Sequence, residues 1–276
     1  MKNLKEYILE SILDDEEDLV DNDDALIRAF LEENYIIRGV HTIKNGIVNV
    51  EGSMQNRHDD KMKSVTNGLF KFGEVTGDFI IRDKSLTSLE GAPKKVGGWF
   101  DCSNCKSLTS LEGAPKKVGG DFYCIGCDSL TSLEGAPKKV DGSFDCSKCY
   151  ELTSLEGAPP RCWDFNCSRC RKLKSLECSP RVSRNFNCSH CESLTSLEGA
   201  PKRNIRDFNC SYCESLTSLE GAPNVNHDFN CSYCESLTSL EGAPKVVGWA
   251  FNCKGCTSLT SLKGVPKVIK IYSDIQ

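Results

Sequence analysis

Histidine is scarce in this chain, and the four present, His41, His58, His190 and His227, are scattered. His190 and His227 stand at different places in their local sequence, so nothing pairs them. No Ser-His-Asp order, phosphate-cradling glycine loop or His-Glu-x-x-His motif is present. An enzyme is therefore not expected, and no catalytic residue is assigned. Long apolar runs are missing too: none approaches the roughly 18–20 residues that span a bilayer. Residues Met1 to Glu10 carry Lys2, Lys5, Glu6 and Glu10 among their apolar side chains, unlike the uninterrupted core of a secretion signal. The expected location is the cytoplasm. Positive charge is not in excess either. A net charge of −5 does not suit a general nucleic-acid binder, and neither nucleic acid nor a membrane is expected as a partner.

What the chain has in abundance is cysteine, 18 residues of it. Sixteen fall into pairs inside a repeat reading Phe-x-Cys-x-x-Cys-x-x-Leu-Thr-Ser-Leu-Glu-Gly-Ala-Pro-Lys, from Cys102/Cys105 to Cys253/Cys256, at steps of 21 or 22 residues. Phe79 to Phe251 and Pro93 to Pro266 keep the same beat. A unit this short cannot fold alone, but it can be one coil that hides its apolar edge against the next. In Asp228-Phe229-Asn230-Cys231 polar and apolar residues alternate, which reads as a short strand with Phe229 and Cys231 inward. Leu237 and Leu240 point in again, and Gly242-Ala243-Pro244 turns the chain. Stacked coils would place like residues over like, about 4.8 Å apart. The expected fold is a mainly β repeat solenoid of about nine coils over residues 79–276.

The Phe-x-Cys-x-x-Cys-x-x-Leu stretch resembles the Leu-x-Leu-x-x-Asn/Cys segment of leucine-rich repeats. Its Cys-x-x-Leu-Thr-Ser-Leu wording is similar to the cysteine-containing and BspA-like bacterial subclasses, although the second half of each unit is shorter. Tandem units this nearly identical also resemble proteins of bacteriophages and bacterial mobile elements. The resemblance implies protein recognition, with a host or virion protein as partner and the host cytoplasm or the virion as location.

Residues 1–78 follow another pattern and read as a helical and hairpin cap for the open end of the solenoid. Leu4, Ile8 and Ile12 suit a helix over about residues 2–13. After an acidic stretch, Asp23 or Asp24 is placed to cap a second helix through Ala25, Leu26, Phe30 and Leu31. Ile36 to Ile43 and Ile47 to Val50 flank Lys44-Asn45-Gly46 as a β-hairpin, and Val65, Val75 and Phe79 read as a first coil without cysteines. Met1 to Glu10 is also similar to the N-terminal targeting peptides of T4-like phage head proteins, with Ile8-Leu9-Glu10 matching the cleavage pattern. That makes a head-associated protein an alternative reading.

Cys-x-x-Cys pairs separated by 18 residues, such as Cys102/Cys105 and Cys124/Cys127, match zinc-site spacing, so a zinc-stabilised structural protein is a second alternative. Against it, the first Cys of each pair sits where related repeats place Leu, and free Cys is a frequent core residue. Only Gly126 and Gly255 supply a knuckle glycine inside a pair. Buried thiol columns, no metal and no cofactor are the expectation, with Cys162 and Cys178 as substitutions at a Val and a Gly position. Glu90 and its equivalents form an outward acidic ladder, and Lys94 and its equivalents a basic one beside it. Asn166, Asn187, Asn209, Asn230 and Asn252 read as a structural amide ladder. The residue before each second Cys varies from coil to coil. It aligns Arg169, His190, Tyr212 and Tyr233 on four consecutive coils as the expected protein-binding stripe.

Overall fold

The computed structural model describes residues 19–59 and 61–275. Helix α1 (Leu19–Asn34) leads into the hairpin of β1 (Tyr35–Lys44) and β2 (Ile47–Asn56). Asn45 and Gly46 both take positive φ, 52° and 66°, as a two-residue type I′ turn requires. Helix α1 differs from the expectation: over Leu19–Asn34 it includes Asp23 and Asp24, which lie inside it rather than capping it. Carboxylates near a helix N-terminus meet the positive end of its dipole, so the acidic stretch is compatible with helix as well as with a cap. Ile27, Phe30 and Leu31 form the buried face. At the C-terminus the Asn34 amide donates to the Phe30 carbonyl at 2.9 Å. The helix expected over residues 2–13 and the Ile8-Leu9-Glu10 site lie outside the described residues.

Strand β2 is the template for the whole stack. Its first half pairs in parallel with β3 (Lys71–Val75) and its second half with β4 (Phe79–Ile80), with a register shift between Val48 and Val50. Two columns of short parallel strands continue from there. One pairs Phe79 with Phe100, Phe100 with Phe122, and so on to Phe251 with Ile271. The other begins with Val75, Val96, Val118 and Val140. The result is a mainly β parallel solenoid of about ten turns with one helix at its N-terminal end. The Leu-Thr-Ser-Leu segments close each coil without strand pairing of their own, apart from one isolated bridge at Ser88. Each ends in a Leu-Glu-Gly-Ala turn. The Ala136 N–H donates to the Leu133 carbonyl at 3.0 Å, and Gly135 has φ +87° with the space for a Cβ only 2.2 Å from the Glu112 nitrogen. Both the conformation and the close approach select glycine there. Cys178 holds the same position with φ +64°.

The core is one cluster running from Ile27 to Leu259. In the cap the aromatic rings meet edge-on, as in Phe70 with Phe72 at 5.0 Å and 78°. From Phe79 onward identical coils force the rings parallel, with centroids 5.0–5.6 Å apart. Each buried Phe contributes about 1.5–3 kcal/mol, which is what holds one coil to the next. The second strand column is interrupted: Arg161–Cys162 and Arg181–Val182 form a separate two-stranded sheet. Beyond Cys162 the length of this segment changes from coil to coil. Pro180 to Val182 is one residue shorter than Pro93 to Val96, and Pro201 to Ile205 is one residue longer. A cavity of about 650 Å³ opens there, lined by Cys178, Arg181, Ala200 and Arg203 among others.

All cysteines but Cys178 are buried. Their columns do more than fill space. From Cys127 onward the second Cys of each coil donates its S–H to the carbonyl of the first Cys on the preceding coil, as in Cys149 to Cys124 at 3.1 Å and Cys213 to Cys188 at 3.3 Å; Cys105 donates to the Ile81 carbonyl at 3.2 Å. The asparagine column works mainly within coils rather than as an amide ladder. Each Oδ1 of Asn166, Asn187, Asn209 and Asn230 accepts the N–H two residues on at 3.0 Å, closing the turn after the strand. A link to the preceding coil runs from Asn166 to Asp145 at 2.9 Å.

Candidate recognition face

The turn between the two cysteines of a coil decides where the variable residues stand. On most coils an asparagine or aspartate cap accompanies two inward cysteines, and the residue before the second Cys takes the left-handed backbone region. Asn104, Lys148, Arg169, His190, Tyr212 and Tyr233 all have φ between 58° and 64° there, and Gly126 and Gly255 have 66° and 75°. Each N–H reaches the next coil: Arg169 to the Ser189 carbonyl at 2.8 Å, His190 to Ser211 and Tyr212 to Ser232 at 2.9 Å, Tyr233 to Lys254 at 2.8 Å. Arg169, His190, Tyr212 and Tyr233 are thus aligned on consecutive coils. The His190 and Tyr212 rings stack at 4.5 Å and 3°, and Tyr212 and Tyr233 at 4.6 Å and 8°. The Tyr233 ring lies over Gly255, where a Cβ would come within 2.4 Å of it. Partial burial, and then the neighbouring Arg169 cation, lower the His190 pKa, which favours a neutral ring in the stack.

The surroundings of the stack are acidic. Glu192, Glu214 and Glu235 follow two residues later on the same three coils. Arg171 bridges to Glu192 at 3.1 Å and lies over the Tyr150 ring at 5.4 Å. Arg169 has no ion-pair partner among the described residues.

A second stripe borders the same strand column on its other side. Counting back two residues from each Phe gives Trp163, Arg184, Arg206, His227 and Trp249. Their backbones form one ladder, each N–H donating to the carbonyl of the one before at 2.7–3.0 Å. This stripe was readable from the Phe beat, but the change between 21- and 22-residue units hides it from inspection by period. Arg184 and Arg206 are held by Asp164 and Asp207 at 3.9 and 3.4 Å. His227 Nδ1 lies 2.9 Å from Asp207 and 3.2 Å from Asp228. Asp207, His227 and Asp228 are the one group of three or more His, Cys, Asp or Glu side chains among the described residues whose ligand atoms all lie within 4.8 Å of one another. The Asp207 oxygen nearest His227 already accepts the Asp228 N–H at 3.0 Å, so hydrogen bonds within the protein account for the group. The cysteine sulfurs are not gathered in threes at that distance, and the tetrahedral cage that zinc needs is not drawn by the coils.

The fold and its two stripes define a parallel β-solenoid with a rigid, side-chain-bearing strand face. Comparison with family models, curated proteins and solved structures returns no match. Among the described residues no helix is long and apolar enough to cross a membrane.

Proposed function

We propose that this protein is a recognition solenoid without chemistry of its own, whose partner is a protein held against Arg169, His190, Tyr212 and Tyr233. The observation that carries the reading is the backbone strain under the stripe. A left-handed conformation costs a residue with a side chain about 1–2 kcal/mol. An aromatic stack returns about 0.5–1.5 kcal/mol. The two nearly cancel, and Gly126 and Gly255 make the same turn with no ring at all. Folding therefore gains little from rings at these positions. A prealigned stripe of Arg, His and Tyr on hydrogen-bonded coils suits a binding surface, because little side-chain freedom is lost on contact. A protein partner fits better than a nucleic acid, since Glu192, Glu214 and Glu235 beside the rings would repel a phosphate backbone. The likeness of the tandem units to phage and mobile-element proteins makes a host or virion protein the first partner to seek.

The test is a pull-down from the native host followed by Tyr212→Gly with Tyr233→Gly. Glycine suits the backbone there, so the melting curve should hold while affinity falls by about 2 kcal/mol or more, some thirtyfold. Unchanged affinity would move the contact off this stripe.

A further inference from the structure

The charged edges of the solenoid show an arrangement that the recognition face does not use. Glu90, Glu112, Glu134, Glu156 and their equivalents stand exposed on eight consecutive coils up to Glu241. Four or five residues later the chain carries an exposed cation on nearly every coil, as Lys116, Lys138, Arg161 and Arg181. The two banks border common hollows floored by Gly and Ala: Glu90 and Lys94 line one, Glu177 and Arg181 another. Yet among the described residues no carboxylate of the acidic bank pairs with a cation of the basic bank within 4.0 Å. The ion pairs among the described residues lie elsewhere, as in Lys172 with Glu151 and Arg171 with Glu192. Each bank is thus a column of like charges one coil apart, 5.0–5.6 Å by the stacked rings, with no ion pair to the neutralising column beside it among the described residues.

We infer that the occupant of this edge is a second copy of the chain, bound side by side in a parallel dimer. A two-fold axis along the solenoid brings the basic bank of one copy opposite the acidic bank of the other, and the reverse pair at the same time. A two-fold axis across the solenoid would set Glu against Glu. The rungs match in height because both banks inherit one coil spacing, a fit that a partner of another fold would have to reproduce. Eight rungs make a contact about 40 Å long but narrow, at the weak end of interface sizes, below about 1,200 Å² in total. Exposed ion pairs are individually weak and screened by salt, so the dimer is a low-affinity, salt-sensitive one.

The test is sedimentation of the full chain at micromolar concentrations in about 50 mM and about 500 mM salt. A dimer is expected at low salt, with dissociation at least tenfold easier at high salt. Two charge-reversed sets decide the interface. Glu112→Lys, Glu134→Lys and Glu156→Lys together should sediment as a monomer. So should Lys116→Glu, Lys138→Glu and Arg161→Glu together. Mixed one to one, they should restore a dimer, because each then offers two banks opposite in sign to the other's. Should a reversed set fold poorly, the neutral set Glu112→Gln, Glu134→Gln and Glu156→Gln should weaken the dimer in its place. A monomer at every salt concentration, a dimer indifferent to both sets, or a mixture that stays monomeric overturns the inference. The Tyr212 and Tyr233 variants should dimerise like the parent, so the stripe and the dimer stand or fall separately.

Discussion

The carbonyl of each first-column cysteine ends a strand and faces the core just where the backbone ladder has turned away. The acceptor at Cys124 meets the Cys149 thiol at 3.1 Å, and the one at Cys231 meets Cys256 at 3.2 Å. Cysteine suits that position because its side chain is small and apolar while its S–H can still donate. A leucine would leave a buried carbonyl without a partner, at a cost of about 1–3 kcal/mol. Cys149→Ala is expected to destabilise the fold by about that amount in urea unfolding, and Cys149→Ser, which keeps a donor, by less. Equal losses would show that the thiol matters only for its volume. Accessibility gives a second expectation at this scale. Cys178 alone is exposed, so an aromatic disulfide reagent should report one thiol in the native chain, none in Cys178→Ser, and all 18 after unfolding. More than one fast thiol in the native state would mean that the columns open.

A coil is the unit in which stability is added, since its Phe ring stacks on the rings of the coils above and below. Phe186 stacks on Phe165 and on Phe208, 5.4 Å from each. Phe186→Ala should cost about 3–5 kcal/mol. Lys138→Ala should be nearly silent, because Lys138 is exposed and touches no charged partner among the described residues. Comparable losses from both would contradict the inward and outward assignment. That assignment was legible in the sequence, since Phe, Cys and Leu recur at strand and turn spacing and each copy repeats the statement. The hairpin was legible in the same way from Asn45-Gly46, and the alignment of Arg169, His190, Tyr212 and Tyr233 from their constant place before the second Cys. Other features were not. Asp23 and Asp24 suit a cap as well as the N-terminal half of a helix, so composition did not place them inside α1. The left-handed backbone under the stripe accompanies the asparagine cap and two inward cysteines together, and no single residue signals it. The thiol hydrogen bonds depend on where a carbonyl of the neighbouring coil points, which is a property of the stack.

Across the whole molecule the thiol columns make stability a function of pH. Burial pushes the thiols of Cys124, Cys146, Cys188 and Cys210 well above the ordinary value of 9.0, and that of Cys162 up to about 12. A raised folded-state value means that the folded chain keeps protons the unfolded chain would release. The stabilisation is therefore complete below about pH 9 and is lost as pH rises from there toward the folded values. Each such thiol removes about 1.4 kcal/mol per pH unit in that window. Because neighbouring coils share their interfaces, losses in several coils combine into one transition. The expected outcome, in the presence of a reductant, is a flat melting temperature from pH 7 to 9 and a steep fall above it. Replacing the pair of one coil, Cys188→Ala with Cys191→Ala, should lower the plateau and shallow the fall, because two thiols held above the ordinary value are gone. A fall of equal steepness in that variant would assign the alkaline transition to groups other than the thiols.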